Sequence, residues 1–287
     1  MSAVLPTPRS AAREALAALW RRPQARACLV VVALYLLAAL AGSLHLLPDA
    51  EAAIGGPQEP PGRSPAFWLG TDLLGRSVLW RVLAGAQTAV TLGLATSALA
   101  VPLGTALGLA AGYFGGWVDA LVNWIYSVVV SVPDILLITA ISYAMGRGLP
   151  AMCVAIAATS WVGIMRLVRG EVLRHKESDY VLAARSLGAG ARRIMLSEIL
   201  PNVLHVAVVT ATLVLLAAVK SEVVLTYLGL GVQEGASWGL LIAGSAQDLT
   251  NGIWAPLAGT VLAMFLLIYC LSVLGDALRD VLDPRVG

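Results

Sequence analysis

Apolar residues in this chain come in long blocks, not at the spacing of an amphipathic surface helix or a half-buried strand. Runs with no charge, or with a single one, occupy residues 28–47, 82–111, 120–145, 151–165, 203–219 and 253–274. A helix needs about 20 such residues to cross the hydrocarbon core of a bilayer. The pattern therefore predicts an all-α integral membrane protein with about six spanning helices. Between the fourth and fifth runs lies the longest polar stretch of the chain, residues 166–202, held between two membrane spans and so obliged to face water.

The remaining segments follow from these blocks. Residues 1–27 read as a short basic segment with a possible amphipathic helix over 11–20, and residues 28–47 as the first span. A cleaved signal peptide is the competing reading of 28–47, but its apolar core runs to about 7–15 residues, shorter than this one. Residues 48–83 form a loop broken by Pro48, Pro57, Pro60, Pro61 and Pro65. In it, Gly70 to Ser77 reads as a turn followed by a helix start, with no chemistry assigned. Residues 84–279 form a core of five spans, with the polar insert 166–202 inside it, and 280–287 a tail.

Three details sharpen the core. Gly104, Gly108 and Gly112 recur every fourth residue, which places them on one helix face where another backbone can come close. Pro133 and Asp134 fall inside the third run, where the pattern predicts one span with a tolerated proline. Asp134 belongs at a helix end, at the interface or facing a solute path, because a charge in hydrocarbon is costly. Lys220 and Glu222 are expected to pair at the far end of the fifth span, near the outer mouth of any pathway, and residues 228–251 to form a loop.

Composition agrees with a membrane protein. Residues with apolar side chains make up 59% of the chain and charged ones 13%, against roughly 25% charged in soluble domains. The net charge of +2 gives no reason to expect nucleic acid. Cys28, Cys153 and Cys270 lie far apart in apolar runs and read as small buried hydrophobes, neither a disulfide nor a metal set. Six spans put both termini and residues 166–202 on one side. Fourteen of the nineteen Lys and Arg residues then fall there, and such an excess marks the cytoplasmic face.

Within the polar insert, Tyr180 to Leu187 are good helix formers, Gly188 and Gly190 interrupt, and Ala191 to Leu200 is helical again until Pro201 leads into the fifth span. Val181, Ala184 and Leu187–Gly188 fall near one face. A short helix of this kind suits insertion into a groove on a soluble partner. A basic loop lying on anionic lipid headgroups is the alternative, and spacing alone leaves both open. No G-x-x-x-x-G-K-[ST] loop, H-E-x-x-H or G-x-S-x-G occurs, and His45, His175 and His205 stand isolated. The sequence thus offers no site for a nucleotide and little support for an intramembrane enzyme; a gradient-driven carrier remains a rival reading.

The segment Tyr180-Val181-Leu182-Ala183-Ala184-Arg185-Ser186-Leu187-Gly188, followed by Leu200-Pro201, resembles the EAA motif of binding-protein-dependent ABC importer permeases. Leu182 stands where the motif has Glu, and Glu198 where it has Ile; Glu171 and Asp179 are the acids near enough to take the missing one's place. The phrases Gly70-Thr71-Asp72 with Leu74-Gly75-Arg76, Ala111 to Asp119, Tyr227 to Val232 with Ser237-Trp238-Gly239, and Leu282-Asp283-Pro284-Arg285 resemble the C-type subunits of the dipeptide, oligopeptide and nickel permeases.

The resemblance implies a type I ABC importer permease of the bacterial inner membrane, with both termini cytoplasmic. It would have no catalysis or cofactor of its own, since ATP would be bound by other subunits. The implied partners are a homologous permease subunit, two cytoplasmic ATP-binding subunits and an extracytoplasmic solute-binding protein, besides membrane lipid. The implied coupling residues are Tyr180, Ala183, Ala184, Gly188, Leu200 and Pro201, with Asp134 and Glu222 as candidates for the translocation path. The solute would be a di- or oligopeptide, with nickel or another small solute as the alternative.

Overall fold

The computed structural model describes residue 20 and residues 22–282, so the expected helix over 11–20 lies, apart from Trp20, outside the described residues. In chain order the helices are α1 Pro23–Ser43, α2 Val78–Phe114, α3 Gly116–Val130, α4 Asp134–Ala144, α5 Leu149–Lys176, α6 Asp179–Ser186, α7 Ala191–Arg193, α8 Leu200–Tyr227, α9 Trp238–Thr250 and α10 Ala255–Leu282. Among the described residues, extended pairing is limited to the isolated bridges Ala53↔Arg76 and Thr71↔Ser77. Five of the helical stretches are long and apolar enough to span a membrane.

The centre of the bundle is the pair α2 and α5. A β-carbon built on Gly104 would stand 2.7 Å from the Trp161 carbonyl and the Ile164 Cβ; one on Gly108, 2.8 Å from the Met165 carbonyl and Val168 Cβ; one on Gly112, 2.8 Å from Val172 Cβ. The three glycines thus form a groove into which the α5 backbone sinks. Such contact replaces the hydrophobic drive that lipid cannot supply between helices. Each step of four along α2 meets a step of four along α5 in the same direction, so the two helices run parallel.

This direction fixes the path of the chain between them. It leaves α2 at Phe114 and must return to the far end of the pair to begin α5 at Leu149. The segments α3 and α4 make that return, and they are bent by 90° where they meet. The expectation of one span with a proline inside it is corrected here. Pro133 does not sit within a helix but caps the start of α4, and the residue before a proline is pushed out of the helical region. The count of six crossings stands, with the third one broken.

The other spans pack around the pair. Ser97 on α2 reaches the Ala211 carbonyl of α8 at 3.4 Å, and Gly93 faces Leu215, so α8 runs antiparallel to α2. Likewise α1 runs antiparallel to α10: Arg22 meets Asp280 at 2.8 Å at one end, and the Tyr35 hydroxyl donates to the Ala263 carbonyl at 2.8 Å further along. Cys28 and Cys270, remote in sequence, share one buried cluster at that contact. Residues 228–251, expected as a loop, instead contain α9, whose first residue Trp238 is fully buried and donates its indole N–H to the Val82 carbonyl at 2.9 Å.

The segment ahead of α2 is ordered by charge. Asp72 accepts the backbone N–H groups of Leu74 and Arg76 at 2.9 Å and the Arg81 guanidinium at 2.8 Å, while Arg76 also reaches Glu51 at 2.5 Å. Burial would push the Asp72 carboxyl up. The backbone and side-chain hydrogen bonds from Arg76, and that from Leu74, outweigh it and hold the carboxyl below its usual range. The stabilisation is therefore full above the ordinary aspartate pKa and is lost as pH falls through the lowered value.

Asp72→Ala leaves Arg76 and Arg81 without this anion, at a cost of about 3 kcal/mol by analogy with broken buried pairs. Limited proteolysis should show residues 48–77 cut at least tenfold faster in this variant at neutral pH. In the parent chain the same sensitivity should emerge only in acid.

Candidate coupling site and pathway residues

The polar insert is shorter than its sequence suggests. Residues 166–176, expected as its first part, continue α5 by three turns. Their basic side chains are engaged on the helix. Arg169 forms a bidentate pair with Asp119 of α3, both contacts at 2.6 Å, and Arg166 donates to the Tyr126 hydroxyl at 2.9 Å. The insert proper is α6, a glycine turn and α7.

Helix α6 is anchored on one side, with Val181 at its centre, and open on the other. Val181 is fully buried against Val172 of α5 and Ile194, Ile199 and Val203. The face expected to insert, with Val181, Ala184 and Leu187–Gly188 together, is therefore not presented as one. Val181 points into the protein and Ala184 is half-buried. The exposed surface of α6 carries Leu182, Ala183, Ser186 and Leu187, with Leu187 88% exposed. Leu182, at the motif's Glu position, is itself 45% exposed, so an apolar side chain replaces the acid on the outer face. Arg185, Arg192 and Arg193 stand exposed around it. Gly188 follows with φ +82° and terminates the helix in the left-handed region that side chains enter only with strain.

A polar cluster ties α6 to its two neighbours. The Tyr180 hydroxyl lies 3.0 Å from His175 Nδ1 of α5 and 3.4 Å from Asn202 Nδ2 of α8. The amide nitrogen of Asn202 can only donate, so the phenol oxygen accepts from it; the contact with Nδ1 runs in the direction set by the tautomer of His175. Burial pushes the Tyr180 phenol above its ordinary range, which keeps it a donor. One hydroxyl thus joins the end of α5, the start of α6 and the start of α8.

The entry into α8 is wound unusually. Residues Ile194–Ile199 form a π-helical turn that runs straight into α8. Pro201, which has no N–H to return to the preceding turn, sits just beyond it, and Asn202 Nδ2 donates to the Glu198 carbonyl at 2.6 Å. The expectation that Pro201 restarts the chain is corrected. From Ala191 to Tyr227 the helix is continuous, and Leu200 packs beside the same buried cluster as Val181. Single π turns of this kind recur at functional sites.

The two acidic residues singled out from the sequence lie in different settings. Asp134 is exposed at the first turn of α4, at the break in the third span, where its Oδ1 accepts the Ile135 N–H at 2.8 Å. Glu222 is fully buried and accepts from the Thr226 hydroxyl at 3.0 Å, while Thr226 in turn accepts the Val232 N–H at 3.1 Å. The expected pair with Lys220 does not form. Lys220 is exposed, and residues two apart on a helix point away from each other. Asp119, Arg169, His175, Asn202 and Thr226 were missed in the sequence. Asp119 closes one of the quoted phrases, Arg169 and His175 lie in the polar insert and Asn202 directly follows the motif's proline; what the sequence lacked was each residue's partner.

The family model described as binding-protein-dependent transport system inner membrane component matches residues 104–287. The dipeptide transport system permease protein of Bacillus subtilis (strain 168) is 37% identical over 224 residues, covering 78% of this chain and 70% of that protein. The oligopeptide transport system permease protein of the same organism is 32% identical over 262 residues, 90% of this chain and 84% of its own. The glutathione transport system permease protein of Pectobacterium atrosepticum is 34% identical over 272 residues, covering 93% and 90%. Among solved structures, the methionine ABC transporter MetNI in an inward-facing conformation aligns with a TM-score of 0.56 at 21% identity, over 71% of this chain and 97% of that one. That last likeness concerns the fold.

Proposed function

We propose, for a chain that belongs to the family of binding-protein-dependent transport system inner membrane components, how this member is driven and what it carries. It is the membrane-spanning subunit of an ABC importer in the bacterial inner membrane. Its solute is a di- or oligopeptide, the class named for the relatives at 37% and 32% identity. Both termini and the α6–α7 insert face the cytoplasm, where the excess of Lys and Arg belongs.

The observation that carries the coupling proposal is the exposure of Leu187 and Leu182 on a helix whose opposite residue, Val181, is fixed in the bundle. An apolar side chain 88% exposed in water, ringed by arginines, fits a groove on a soluble subunit. Two cytoplasmic ATP-binding subunits take that place, one on this chain and one on a homologous permease subunit. An extracytoplasmic solute-binding protein delivers the peptide. ATP-driven movement of the groove carries α6 with it, and the Tyr180 cluster and the continuous helix from Ala191 pass the movement to α5 and α8. The nucleotide must bind the two arrangements with different affinity for the shift to occur.

The test is a cysteine at Leu187 paired with cysteines along the groove of the ATP-binding subunit, in a background without Cys28, Cys153 and Cys270. Cross-linking that changes between nucleotide-free and ATP-bound importer supports the proposal; a Leu187 cysteine labelled only by reagents outside the cell overturns it.

Asp134 belongs to the translocation path. Backbone that leaves the helix within a span is tolerated only where it is buried in protein or lines water, and Ser131 to Asp134 are exposed on this subunit alone. Their face therefore meets the homologous subunit across the path. Asp134→Asn should lower peptide uptake about fivefold through a higher KM, a loss of roughly 1 kcal/mol, with normal assembly of the complex. Uptake kinetics unchanged in this variant would remove Asp134 from the path.

A further inference from the structure

A cleft of about 510 Å³ opens between the ordered loop ahead of α2 and the start of α10. Its walls include Pro60, Pro61 and Trp68 from the loop and Trp254, Ala258 and Leu262 from the α10 side. The size is that of a small-ligand site, yet the lining carries a single charge. That one, Glu59, is turned to its own loop, where its Oε1 accepts the Gly56 N–H at 2.5 Å. We infer that this cleft holds one acyl chain of a phospholipid from the outer leaflet, as a built lipid site.

Three observations commit the cleft to lipid. The first is continuity. Ala255, Ala258 and Leu262 share a stripe of α10 with Phe265 and Tyr269 at helical spacing. Leu262, Phe265 and Tyr269 are exposed, so the cleft is the outer end of an apolar track along the span. The second is the rim. Trp68 and Trp254 are 57% and 69% exposed, and among the described residues neither indole N–H has an acceptor in the chain. Tryptophans so placed sit at the level of lipid headgroups, with the ring in the apolar layer and the N–H toward ester and phosphate oxygens.

The third observation is position. The broken span α3–α4 packs on α2 and α5, whereas α10 packs chiefly on α1, α8 and α9 and less on α2. If the break faces the homologous subunit, as proposed above, the α10 flank is left to the bilayer; the inference rests on that reading in this respect alone.

The experiment uses the importer assembled in native membranes and purified through a tag on this chain. A photoreactive benzoylphenylalanine replaces Leu262. Irradiation should yield a chain heavier by one phospholipid. An adduct with the homologous permease subunit or with the solute-binding protein overturns the inference, as does the absence of any adduct. In a second variant, Ala258→Trp fills the cleft, and native mass spectrometry should count one fewer phospholipid retained per importer, with unchanged assembly. Equal retention in this variant also overturns the inference. The Asp134 reading has its own readout in uptake, so the two fail separately.

Discussion

Gly108→Leu is expected to empty the membrane of folded protein. A β-carbon at that position would stand 2.8 Å from a carbonyl oxygen of the α5 backbone and from the branched Cβ of Val168. Neither atom is the free end of a flexible side chain. The neighbours cannot yield locally, so α2 and α5 must separate along the whole contact. Inserting bulk into a packed site costs about 1–3 kcal/mol, and more where backbone must move. Native folds are stable by only about 5–15 kcal/mol, so a loss of this size or more leaves little margin against a heat step.

The measurement is the amount of this chain in detergent extracts that survives a short heat step. We expect less than a tenth of the parent for Gly108→Leu and an intermediate value for Gly108→Ala. Gly170, on α5, has no atom within 4 Å of a built β-carbon and serves as the internal comparison. Gly170→Ala should match the parent. A Gly108→Leu chain as abundant and heat-resistant as the parent would mean that the glycine groove does not hold the bundle.

The second large effect is at Gly188, and it should fall on transport and not on folding. Gly188 has φ +82°, and a β-carbon there meets nothing within 4 Å. A replacement is strained by its backbone angle alone, by about 1–2 kcal/mol for an ordinary L residue. A β-branched one is worse. Gly188→Val relieves that strain by moving φ negative, which swings α6 out of its seat under Val181 and misplaces Leu187. Peptide uptake should drop at least tenfold while the chain inserts normally and the complex still hydrolyses ATP.

Asn tolerates the left-handed region, so Gly188→Asn should keep most of the uptake. If Asn and Val do equal damage, the fault lies in the side chain meeting the partner and not in the turn. If both variants transport like the parent, α6 is not the transmitting element.

Much of this was legible in the sequence because membrane spans are written in composition. The runs at 28–47, 82–111, 203–219 and 253–274 correspond to α1, α2, α8 and α10, with ends displaced by a few residues to a turn or two. The four-residue glycine repeat gave the α2 face that meets α5, although nothing in it identified α5 as the neighbour. Where the reading failed, polar residues were taken to end a helix. Arg166 to Lys176 are charged, yet helical hydrogen bonds do not require lipid, and Asp119 and Tyr126 supply partners that a sequence scan could not see. The third run failed for the converse reason: its residues are mostly apolar, and only Pro133 and Asp134 marked the break. Glu222 and Lys220 were paired because they are close in sequence; helical geometry separates them by more than half a turn.

The proposed coupling site was legible as a motif but not as a mechanism. Tyr180, Ala183, Ala184, Gly188, Leu200 and Pro201 cluster in one region, and the motif spacing alone points there. The face that α6 turns outward depends on Val181 finding Val172 and Ile199 in the elements on either side, contacts set by how those elements fold back and not by the spacing within α6. The same is true of His175 and Asn202, which have meaning only through a hydroxyl that both reach.

The stepped contact between α2 and α5 has a consequence for how such a protein can move. Each glycine is a detent, and the backbone of the facing helix rests in three of them at once. A slide along the seam has no intermediate stop, because the next arrangement lies four residues on, about 6 Å away by helical rise. Small displacements would drive a carbonyl onto Cα atoms at every notch together. The pair therefore behaves as a fixed mast, and the work of a transport cycle must be borne by the members rigged to it: the jointed third crossing on one side and the long eighth helix on the other.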